Sequence, residues 1–541
     1  MAAAAGRRAQ ITRSTLIVMA SFAAAKAISL LQTVIIARTF GISAEYDAFV
    51  AANRLPEVIF NLIAGGAIAF AFIPVFTGLL AKDETSTAWK TASHVANTIF
   101  ALTAVVSLLA YILAPWLVSQ VISPGFPPEI QQLTAEIMRV LLISTLIFSI
   151  SGVVMGILQS FNRFLLPALA PILYDVGILF GVIVLLPMMG IYGLAWGAVL
   201  GAAMHLLIQV PGLIRVKMRW WPEMGWRDPN FRKVVVLFIP RAADLALVSV
   251  SAIVLTNLLS RLGEGATSAY DWGWRIMQIP ETLIGTAMGI VIFPTLAALS
   301  SVGDLEGKRS AMSGSLRFIL VATIPSAVML IAAGRPLLSL LEGGAFDASA
   351  TNLVYSALIF FSIGIVVHSL LEVVARSFYA DKDTLTPLII AVGGAVVNIV
   401  VAIGFSGLLT GSASPENVGA LALANTLGIA FEVTALAWVL RKRWHGIHER
   451  ALLRTTVRAL IASLIMGAVV FGINFLFSAL GFTERGMLWT IIQLVANFVA
   501  GAVVFIGASY LVKLDEVKIF LSQSVQQIRS FFQRSEAQTA T

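Results

Sequence analysis

The sequence predicts an all-α integral membrane protein with about fourteen transmembrane helices, arranged as two six-helix lobes followed by two further helices. Three observations support this fold class. Only 12% of the 541 residues are charged and 58% are hydrophobic, whereas soluble domains have about 25% charged residues. Most of the chain divides into apolar segments of about twenty residues, the length that crosses a bilayer. Two distant segments also share one charged motif, which indicates an internal duplication.

The predicted spans follow from the apolar segments. We place them near residues 14–40, 46–81, 91–121, 133–160, 164–187, 190–213, 233–261, 268–300, 312–340, 351–380, 384–410, 417–440, 453–480 and 485–513. Loops that stay in the cytoplasm are enriched in Lys and Arg, so the connections test this count. Every second connection is basic, including 214–233 and 441–454, whereas 119–132 and 410–417 contain almost no Lys or Arg. The alternation predicts a multi-pass protein with both termini in the cytoplasm.

These spans also predict how the chain is organised. The N-terminal lobe is 1–213, a cytoplasmic linker covers 214–232, and the C-terminal lobe is 233–440. Spans thirteen and fourteen, within 441–513, lie outside the duplication. The tail, 514–541, has an apolar helical stripe beside polar residues, which predicts an amphipathic helix lying on the inner leaflet. The stripe consists of Val517, Leu521, Val525, Ile528 and Phe532.

The duplicated motif joins charge to proline inside apolar sequence. The first copy contains Tyr46-Asp47, Arg54 and Pro56-Glu57, and the second contains Tyr270-Asp271, Arg275 and Pro280-Glu281. The Tyr-Asp and Pro-Glu pairs are ten positions apart in both copies. Each repeat has an even number of spans, so both copies should face the same way, related by an axis along the membrane normal. The pattern predicts a two-lobed carrier with a polar cavity between its halves.

The prolines of this motif predict gating elements. A proline inside a helix removes one hydrogen bond and kinks the helix. Kinked helices beside a central cavity are suited to alternating access, so we predict gating roles for four residues. These residues are Pro56, Glu57, Pro280 and Glu281. The alternative is that membrane helices simply tolerate proline, but its presence in register in both copies favours gating.

Charged residues within the predicted spans are the candidate binding residues. A charge facing lipid costs at least about 2.5 kcal/mol, so deep charges are expected to line a polar cavity. The deep positions are Lys26, Arg54, Arg241, Asp244 and Arg275. Asp47 lies near a predicted helix end, where it could equally brace two helices or line the cavity. Lys and Arg favour an anionic cargo, because guanidinium groups form bidentate bonds with phosphate.

The sequence argues against several other classes of protein. It contains no Cys, and its five His are scattered, so no metal site is predicted. Residues 303–310 do not have the glycine spacing of a phosphate-binding loop, so no cofactor is expected. Transport would instead use a Na⁺ or proton gradient, the membrane potential or the cargo's own gradient. The net charge of +8 follows from basic cytoplasmic loops, not from nucleic-acid binding. The outer loops are too short for a hydrolase site, so no enzyme is predicted.

The residues around the motif resemble the MurJ/MviN family. Ile36 to Gly41, Asp47 to Phe49, Arg54 to Pro56 and Phe72 to Pro74 are similar to that family's first two helices. Arg275 to Pro280, with Gly285, Gly289 and Phe293-Pro294, are similar to its eighth helix. The resemblance implies a V-shaped pair of six-helix lobes, a cationic cavity and a groove for a lipid tail. It implies a flippase that moves lipid II, the undecaprenyl-pyrophosphate-linked peptidoglycan precursor, across the bacterial inner membrane for cell-wall synthesis.

The resemblance also implies roles for individual residues. Arg275 would bind the pyrophosphate, Asp47 matches an Asp of the second span, and Lys26 matches the first Arg of the first span. Two family cations are replaced here, and Arg54 and Arg241 would compensate; the replacing residues are Gln32 and either Phe60 or Asn61. Some members have a sodium-like site, for which Asp244 and Asn398 are the candidates. The expected partners are an anionic lipid-linked saccharide and membrane lipids, with cell-wall synthesis proteins as further candidates.

Other functions remain open at this stage. The cargo could be another polyprenyl-linked oligosaccharide. A cation-coupled exporter of drugs or small molecules in the same superfamily is a second alternative, although cationic drugs would favour a cavity dominated by carboxylates. A non-transporting scaffold would need no polar cavity, so the deep charges argue against it.

Overall fold

The computed structural model describes residues 28–64, 66–482 and 486–518, without the side chains of 63–70 and of six positions between 240 and 248. This part of the chain is almost entirely helical. Its main helices are α1 Ile28–Phe40, α2 Ala44–Ile59, α3 Gly66–Leu80, α4 Thr85–Leu117, α5 Pro128–Ser160, α6 Leu165–Phe180, α7 Leu186–Met189, α8 Tyr192–Leu207, α9 Val210–Arg215, α10 Pro229–Ser260, α11 Ala266–Glu281, α12 Ala287–Ser301, α13 Leu305–Ser339, α14 Ala348–Ala380, α15 Leu385–Phe405, α16 Val418–Arg443, α17 Glu449–Ala479 and α18 Met487–Leu511.

The all-α membrane fold predicted from the sequence is confirmed. Among the described residues, eleven helices are long and apolar enough to cross a membrane. The other three predicted spans overlap α1, α2 with α3, and α10, whose shorter apolar parts are Ile28–Phe40, Ala71–Leu80 and Ser249–Ser260. The total of fourteen spans therefore stays a prediction, as does the V-shaped arrangement.

The helices fall into two compact units. The first runs to Ser268 and includes the short segment Gly343–Asp347, and the second begins at Ala269. Helix α10 belongs to the first unit because it packs against α2 and α3. The first unit therefore ends one helix later than the predicted N-terminal lobe, 1–213. The assignment of 1–213 and 233–440 as the duplicated repeats stays a prediction.

The predicted linker, 214–232, is fastened to α4 of the first unit. Nδ2 of Asn97 donates to the carbonyl oxygens of Trp221 and Glu223 at 2.7 and 2.8 Å. Oδ2 of Asp228 lies 2.9 Å from Nδ1 of His94, and its Oδ1 accepts from the backbone N–H of Asn230 in the first turn of α10. These contacts hold residues 221–228, so this part of the linker is a strap held along the helix.

The start of the predicted tail packs into the second unit. Leu514 and Val517 are buried against a cluster that includes Leu320 of α13 and Ala459 of α17. Nearby, Oε1 of Glu516 accepts hydrogen bonds from Thr455 and Arg317 at 2.8 and 3.2 Å. Val517, the first residue of the predicted stripe, is therefore covered by protein, and the amphipathic helix at 514–541 stays a prediction. The rest of the stripe, from Leu521 onwards, lies outside the described residues.

Helices α17 and α18 correspond to the two predicted spans beyond the duplication, and buried amides join them to α13. Nδ2 of Asn474 donates to the carbonyl oxygen of Ala332 at 2.7 Å. The Asn474 side-chain oxygen accepts from Gln493 and Asn497 of α18 at 2.9 and 2.7 Å. Because buried amides are costly without partners, this network fixes how the two helices pack against α13.

Candidate substrate-translocation helices

Both copies of the duplicated motif have a wide helical turn just after the proline. In the first copy, Pro56 precedes a π-helical turn at Phe60–Ala64. In the second, Pro280 precedes a π-helical turn at Thr282–Thr286. Proline has no N–H to donate to the carbonyl four residues earlier, so each copy also lacks a helical hydrogen bond in the turn before the proline. Such turns occur frequently at functional sites. The local geometry supports the predicted kinks, whereas the gating roles stay predictions.

Asp47, at the start of α2, is held by three hydrogen-bond donors. Its side chain is 1% exposed, and its carboxylate accepts from the backbone N–H of Gly265 at 2.7 Å. It also accepts from the backbone N–H and the hydroxyl of Ser268, at 2.6 and 2.5 Å. A carboxylate at this position satisfies N–H groups that the first turn of α11 leaves without helical partners. This geometry makes Asp47 a brace between the two segments, whereas its contact with substrate stays a prediction.

The brace is reciprocal. While Asp47 of α2 caps α11, Oε1 of Glu264, in the loop before α11, accepts from the backbone N–H of Ala44 at the start of α2 at 3.2 Å. The hydroxyl of Ser43 accepts a further bond from the backbone of Tyr46 at 3.4 Å. The loop at 264–268 and the start of α2 therefore hold each other, entirely within the first unit.

Arg54 and Glu57 form an ion pair beside the first proline. Nη1 of Arg54 lies 3.4 Å from Oε2 of Glu57, three residues further along the helix. The Arg54 side chain is 19% exposed and that of Glu57 is 47% exposed. Pro56 stands between them and is buried. The structure thus brings together three of the predicted residues of the first copy, with charge and kink on adjacent positions.

The second copy pairs its arginine in the other direction along the helix. Nε of Arg275 donates to Oδ2 of Asp271 at 2.6 Å, one helical turn earlier. The Asp271 side chain is 7% exposed, whereas that of Arg275 is 48% exposed. A partly accessible guanidinium whose Nε edge is fixed by a buried carboxylate is well suited to bind an anion, because its orientation is set in advance.

Glu281 belongs to a charged cluster with helix α14. Its carboxylate accepts from the hydroxyl of Thr286 at 3.2 Å and lies within electrostatic reach of Glu372 and Arg376. Arg376 pairs with the Glu372 carboxylate and donates to the Glu372 carbonyl at 2.8 Å. Gly289 leaves room for this guanidinium, since a Cβ there would lie 1.9 Å from Nη1 of Arg376.

Glu372 and Arg376 are not among the residues that the sequence predicts for the site. Both lie near the end of the tenth predicted span, where a charged side chain can reach the membrane interface. The signal that could have found them is the glycine at 289, in the motif of the facing helix, which makes room for a large side chain.

Three predicted residues cannot be placed by their side chains. Lys26 lies outside the described residues, and Arg241 and Asp244 are described only as backbone of α10. The predicted cation ligand Asn398 lies on α15, and its buried Oδ1 has no hydrogen-bond partner among the residues described. An amide oxygen of this kind is a suitable ligand for a hard cation. The described part of the chain contains no group of three or more His, Asp or Glu residues that could hold a metal ion.

Comparison with known proteins extends this picture over most of the chain. A family profile described as Lipid II flippase MurJ matches residues 36–491. Lipid II flippase MurJ of Burkholderia cenocepacia is 29% identical over 448 residues, covering 81% of this chain and 85% of that protein. The probable lipid II flippase MurJ of Rhizobium tropici is 26% identical over 444 residues, covering 81% and 82%.

Solved structures show the same fold. A lipid II flippase MurJ in an inward closed conformation matches with a TM-score of 0.75 at 23% identity, covering 93% of this chain and 99% of that one. An inward-facing multidrug transporter of the MATE family matches with a TM-score of 0.64 at 14% identity, covering 77% and 96%. At these identities the likeness concerns the fold alone. Since the family profile spans most of the sequence, the chain belongs to the lipid II flippase MurJ family.

Proposed function

We propose that this protein is a flippase that moves lipid II across the bacterial cytoplasmic membrane by alternating access and so supplies cell-wall synthesis. The observation that carries this proposal is the family match over residues 36–491. It includes both copies of the kinked, charged helix. Transport through a polar path also gives a use to charges that would be costly in hydrocarbon.

In this proposal Arg275 binds the pyrophosphate of the substrate. Its side chain is about half exposed, and Asp271 engages its Nε, so the opposite edge of the fork is suited to two parallel bonds with phosphate oxygens. Lys26, Arg54 and Arg241 add positive charge along the path. Arg54 is less exposed and has Glu57 beside it, so we assign it a smaller share of the binding.

Gating would use the two wide turns. The turns at Phe60–Ala64 and Thr282–Thr286 follow Pro56-Glu57 and Pro280-Glu281, so the helix can bend where charged residues meet the path. Helix ends beyond the turns would then move relative to the ends held by contacts such as Asp47 with Ser268. Glu57 and Glu281 would exchange partners during this movement.

We also propose an energy source for transport and a location for the protein. Asp244 and Asn398 would bind a coupling Na⁺; a proton gradient or the membrane potential would serve in its place. The protein is multi-pass, and we place it in the bacterial inner membrane with both termini in the cytoplasm, because the basic connections alternate along the chain. Its partners would be lipid II, membrane lipids and proteins of cell-wall synthesis.

Flipping of another polyprenyl-linked oligosaccharide is the second candidate. It is favoured by the replacement of two family cations by Gln32 and by Phe60 or Asn61. Export of small molecules or drugs has weaker support, since the likeness to MATE transporters concerns the fold alone.

Complementation tests the proposal directly. A bacterium depleted of its own lipid II flippase would receive the native chain, Arg275→Ala, or the control Arg163→Ala, which removes an exposed loop arginine. We expect growth with the native chain and the control, and failure with Arg275→Ala at equal membrane levels. Growth with Arg275→Ala would overturn the assigned role of that residue. Failure of the native chain despite insertion would favour the other lipid-linked glycan.

A further inference from the structure

A basic cleft lies at the C-terminal end of helix α16. It has a volume of about 500 Å³ and is formed by one short stretch of chain. Its lining residues are Trp438, Arg441, Lys442, His445, Gly446 and Glu449. They include two permanent cations, one imidazole and one carboxylate. This connection is among the most basic in the chain, so its predicted position is the cytoplasmic surface of the membrane.

The cations of this cleft are held in place before any ligand arrives. Nζ of Lys442 lies 3.6 Å from the ring centroid of Trp438, one helical turn away, which is a cation–π contact. Nε of Arg441 lies 2.8 Å from Oε1 of Glu449 at the start of α17. Since Glu449 engages Nε, the terminal Nη edge of the guanidinium is the one that suits a bidentate phosphate. Fixed cations lose less conformational entropy on binding.

His445 adds an imidazole where the backbone would favour glycine. The backbone N–H of Gly446 donates to the Arg441 carbonyl at 2.9 Å, which closes the helix with a left-handed residue between them. That residue is His445, with a φ of +54°. Glycine is usual at this position because it has no Cβ to strain. The backbone therefore gives no reason for a histidine here, whereas the cleft gains a further donor.

The surroundings indicate which anion fits. Trp438 is 54% exposed, and tryptophan at a helix end typically lies at the level of lipid headgroups. The negative end of the α16 dipole would repel an anion on its own. Arg441, Lys442 and Arg443 in the last turn reverse this field. Basic pockets on the cytoplasmic side of membrane proteins recognise anionic headgroups in this way.

We propose that the Trp438–Glu449 cleft binds the phosphate of an anionic phospholipid headgroup in the inner leaflet. The bound lipid would join the end of α16 to the start of α17, the first of the two helices beyond the duplication. The site is formed by residues 438–449 alone and does not depend on the substrate proposed above. A simpler explanation is that these cations only offset the dipole of α16, and the experiment separates the two.

The test measures binding of phosphatidylglycerol and phosphatidylcholine to the full chain in detergent by native mass spectrometry. The cleft variant Arg441→Gln/Lys442→Gln is compared with Arg215→Gln/Arg219→Gln, which removes two exposed cations from the first unit. We expect the cleft variant to bind phosphatidylglycerol at least roughly tenfold more weakly, and the control to change by less than about threefold. His445→Gly is a second variant whose backbone should not be strained, and it should weaken binding by about threefold.

Three results would overturn the proposal. Equal weakening in the cleft and control variants would mean general attraction between charges. Unchanged lipid binding together with a lower unfolding temperature of the cleft variant in lipid-free detergent would mean that the cations only offset the helix dipole. Displacement of the lipid by 20 mM inorganic phosphate would make the site one for free phosphate. Weaker binding of phosphatidylglycerol in both cleft variants, with the larger effect in Arg441→Gln/Lys442→Gln and unchanged binding of phosphatidylcholine, would support the lipid site.

Discussion

The two copies of the duplicated helix keep the same residues but use them differently. In the first copy, the buried Asp47 braces the loop before α11, and Arg54 pairs forward with Glu57 across the proline. In the second, Asp271 pairs with Arg275, whose side chain is more than twice as exposed as that of Arg54. The shared sequence pattern thus gives a structural anchor in one half and an accessible cation in the other.

A duplicated motif therefore need not duplicate a structural role. The Tyr-Asp and Pro-Glu spacing is the same in both copies, but the arginine comes seven residues after the Asp in one and four residues after it in the other. Residues four apart share one helix face and can pair, whereas Arg54 lies two turns from Asp47 and leaves that carboxylate to other donors. The position of one arginine decides which carboxylate holds it.

The largest expected effect comes from removing the anchor. Asp47→Ala would leave two backbone N–H groups and the Ser268 hydroxyl without their acceptor, at about 1–3 kcal/mol for each buried group. We expect a fall of several °C in the unfolding temperature in detergent. Asp271→Ala is the matched change in the second copy. It should lower the unfolding temperature less than Asp47→Ala does, and it should slow transport more. Equal stability losses for the two variants would contradict the distinction between anchor and binding site.

The two arginines should differ in how much they contribute to transport. Arg275→Ala should slow flipping of labelled lipid II in proteoliposomes by roughly 10- to 100-fold, because a charged hydrogen bond contributes about 1.5–3 kcal/mol. Arg54→Ala should slow it less, since this side chain is less exposed and Glu57 lies beside it. Arg275→Lys keeps the charge without the fork and should fall between the native chain and Arg275→Ala. A larger effect at Arg54 would reverse the assignment of the two copies.

The turns that end α5 and α14 can also be compared, and one of them should depend on pH. The backbone N–H of Arg163 bonds the carbonyl of Leu158 after α5, and that of Asp383 bonds the carbonyl of Phe378 after α14. The two turns therefore match, with a cation in one and a carboxylate in the other. Nη1 of Arg443 lies 2.6 Å from Oδ2 of Asp383.

Because the pKa of Asp383 is low, the stability of the turn after α14 should decrease in acid. Burial raises this pKa, but hydrogen bonds from Thr386 and Arg443 outweigh burial and bring the pKa to about 2. Because the folded-state pKa lies below the unfolded value of about 4, the stabilisation is present above pH 4 and is lost as the pH falls towards 2. Asp383→Asn should therefore lower the unfolding temperature at pH 7 and have little effect near pH 2. A constant difference between these pH values would contradict this cause.

The smallest stability effect is expected at Gly289. A methyl group there would push the Arg376 guanidinium away from its place beside Glu372, but a flexible side-chain end can move cheaply. Gly289→Ala should therefore change stability by less than about 1 kcal/mol while slowing transport severalfold. Gly404→Ala is the control, since nothing lies within 4 Å of the added atom. Normal transport by Gly289→Ala would mean that the Glu281 cluster takes no part in gating.

Much of this architecture could be predicted from local sequence. Apolar runs predict helices, and Pro56 and Pro280 predict kinks next to the places where the structure has wide turns. The placement of α10 with the first unit could not be predicted, since its apolar pattern is compatible with packing against either half. The contact between Asn97 and the linker could not be predicted either, because a single polar residue in a span gives no indication of its distant partners.

In the candidate site, too, contacts between residues far apart in the chain could not be predicted. The charges of Arg275 and Asp271 could be recognised because they lie one turn apart in the chain, and local spacing is visible in a sequence. Asp47 could not be assigned its role in this way, because its donors lie 218 and 221 residues further along the chain. Arg376 could not be paired with Gly289 in this way, because the two residues lie on different helices.

Each wide turn sets the rotation of the helix that follows it. A π-helical turn accommodates one residue more than an ordinary turn, and each helical residue advances the direction of the next by about 100°. The azimuth of every side chain beyond Phe60–Ala64, including Phe72 and Pro74, therefore depends on that single additional residue. Shortening the turn by one position would rotate the following fifteen-residue helix by more than a quarter of a circle and present a different surface to its neighbours.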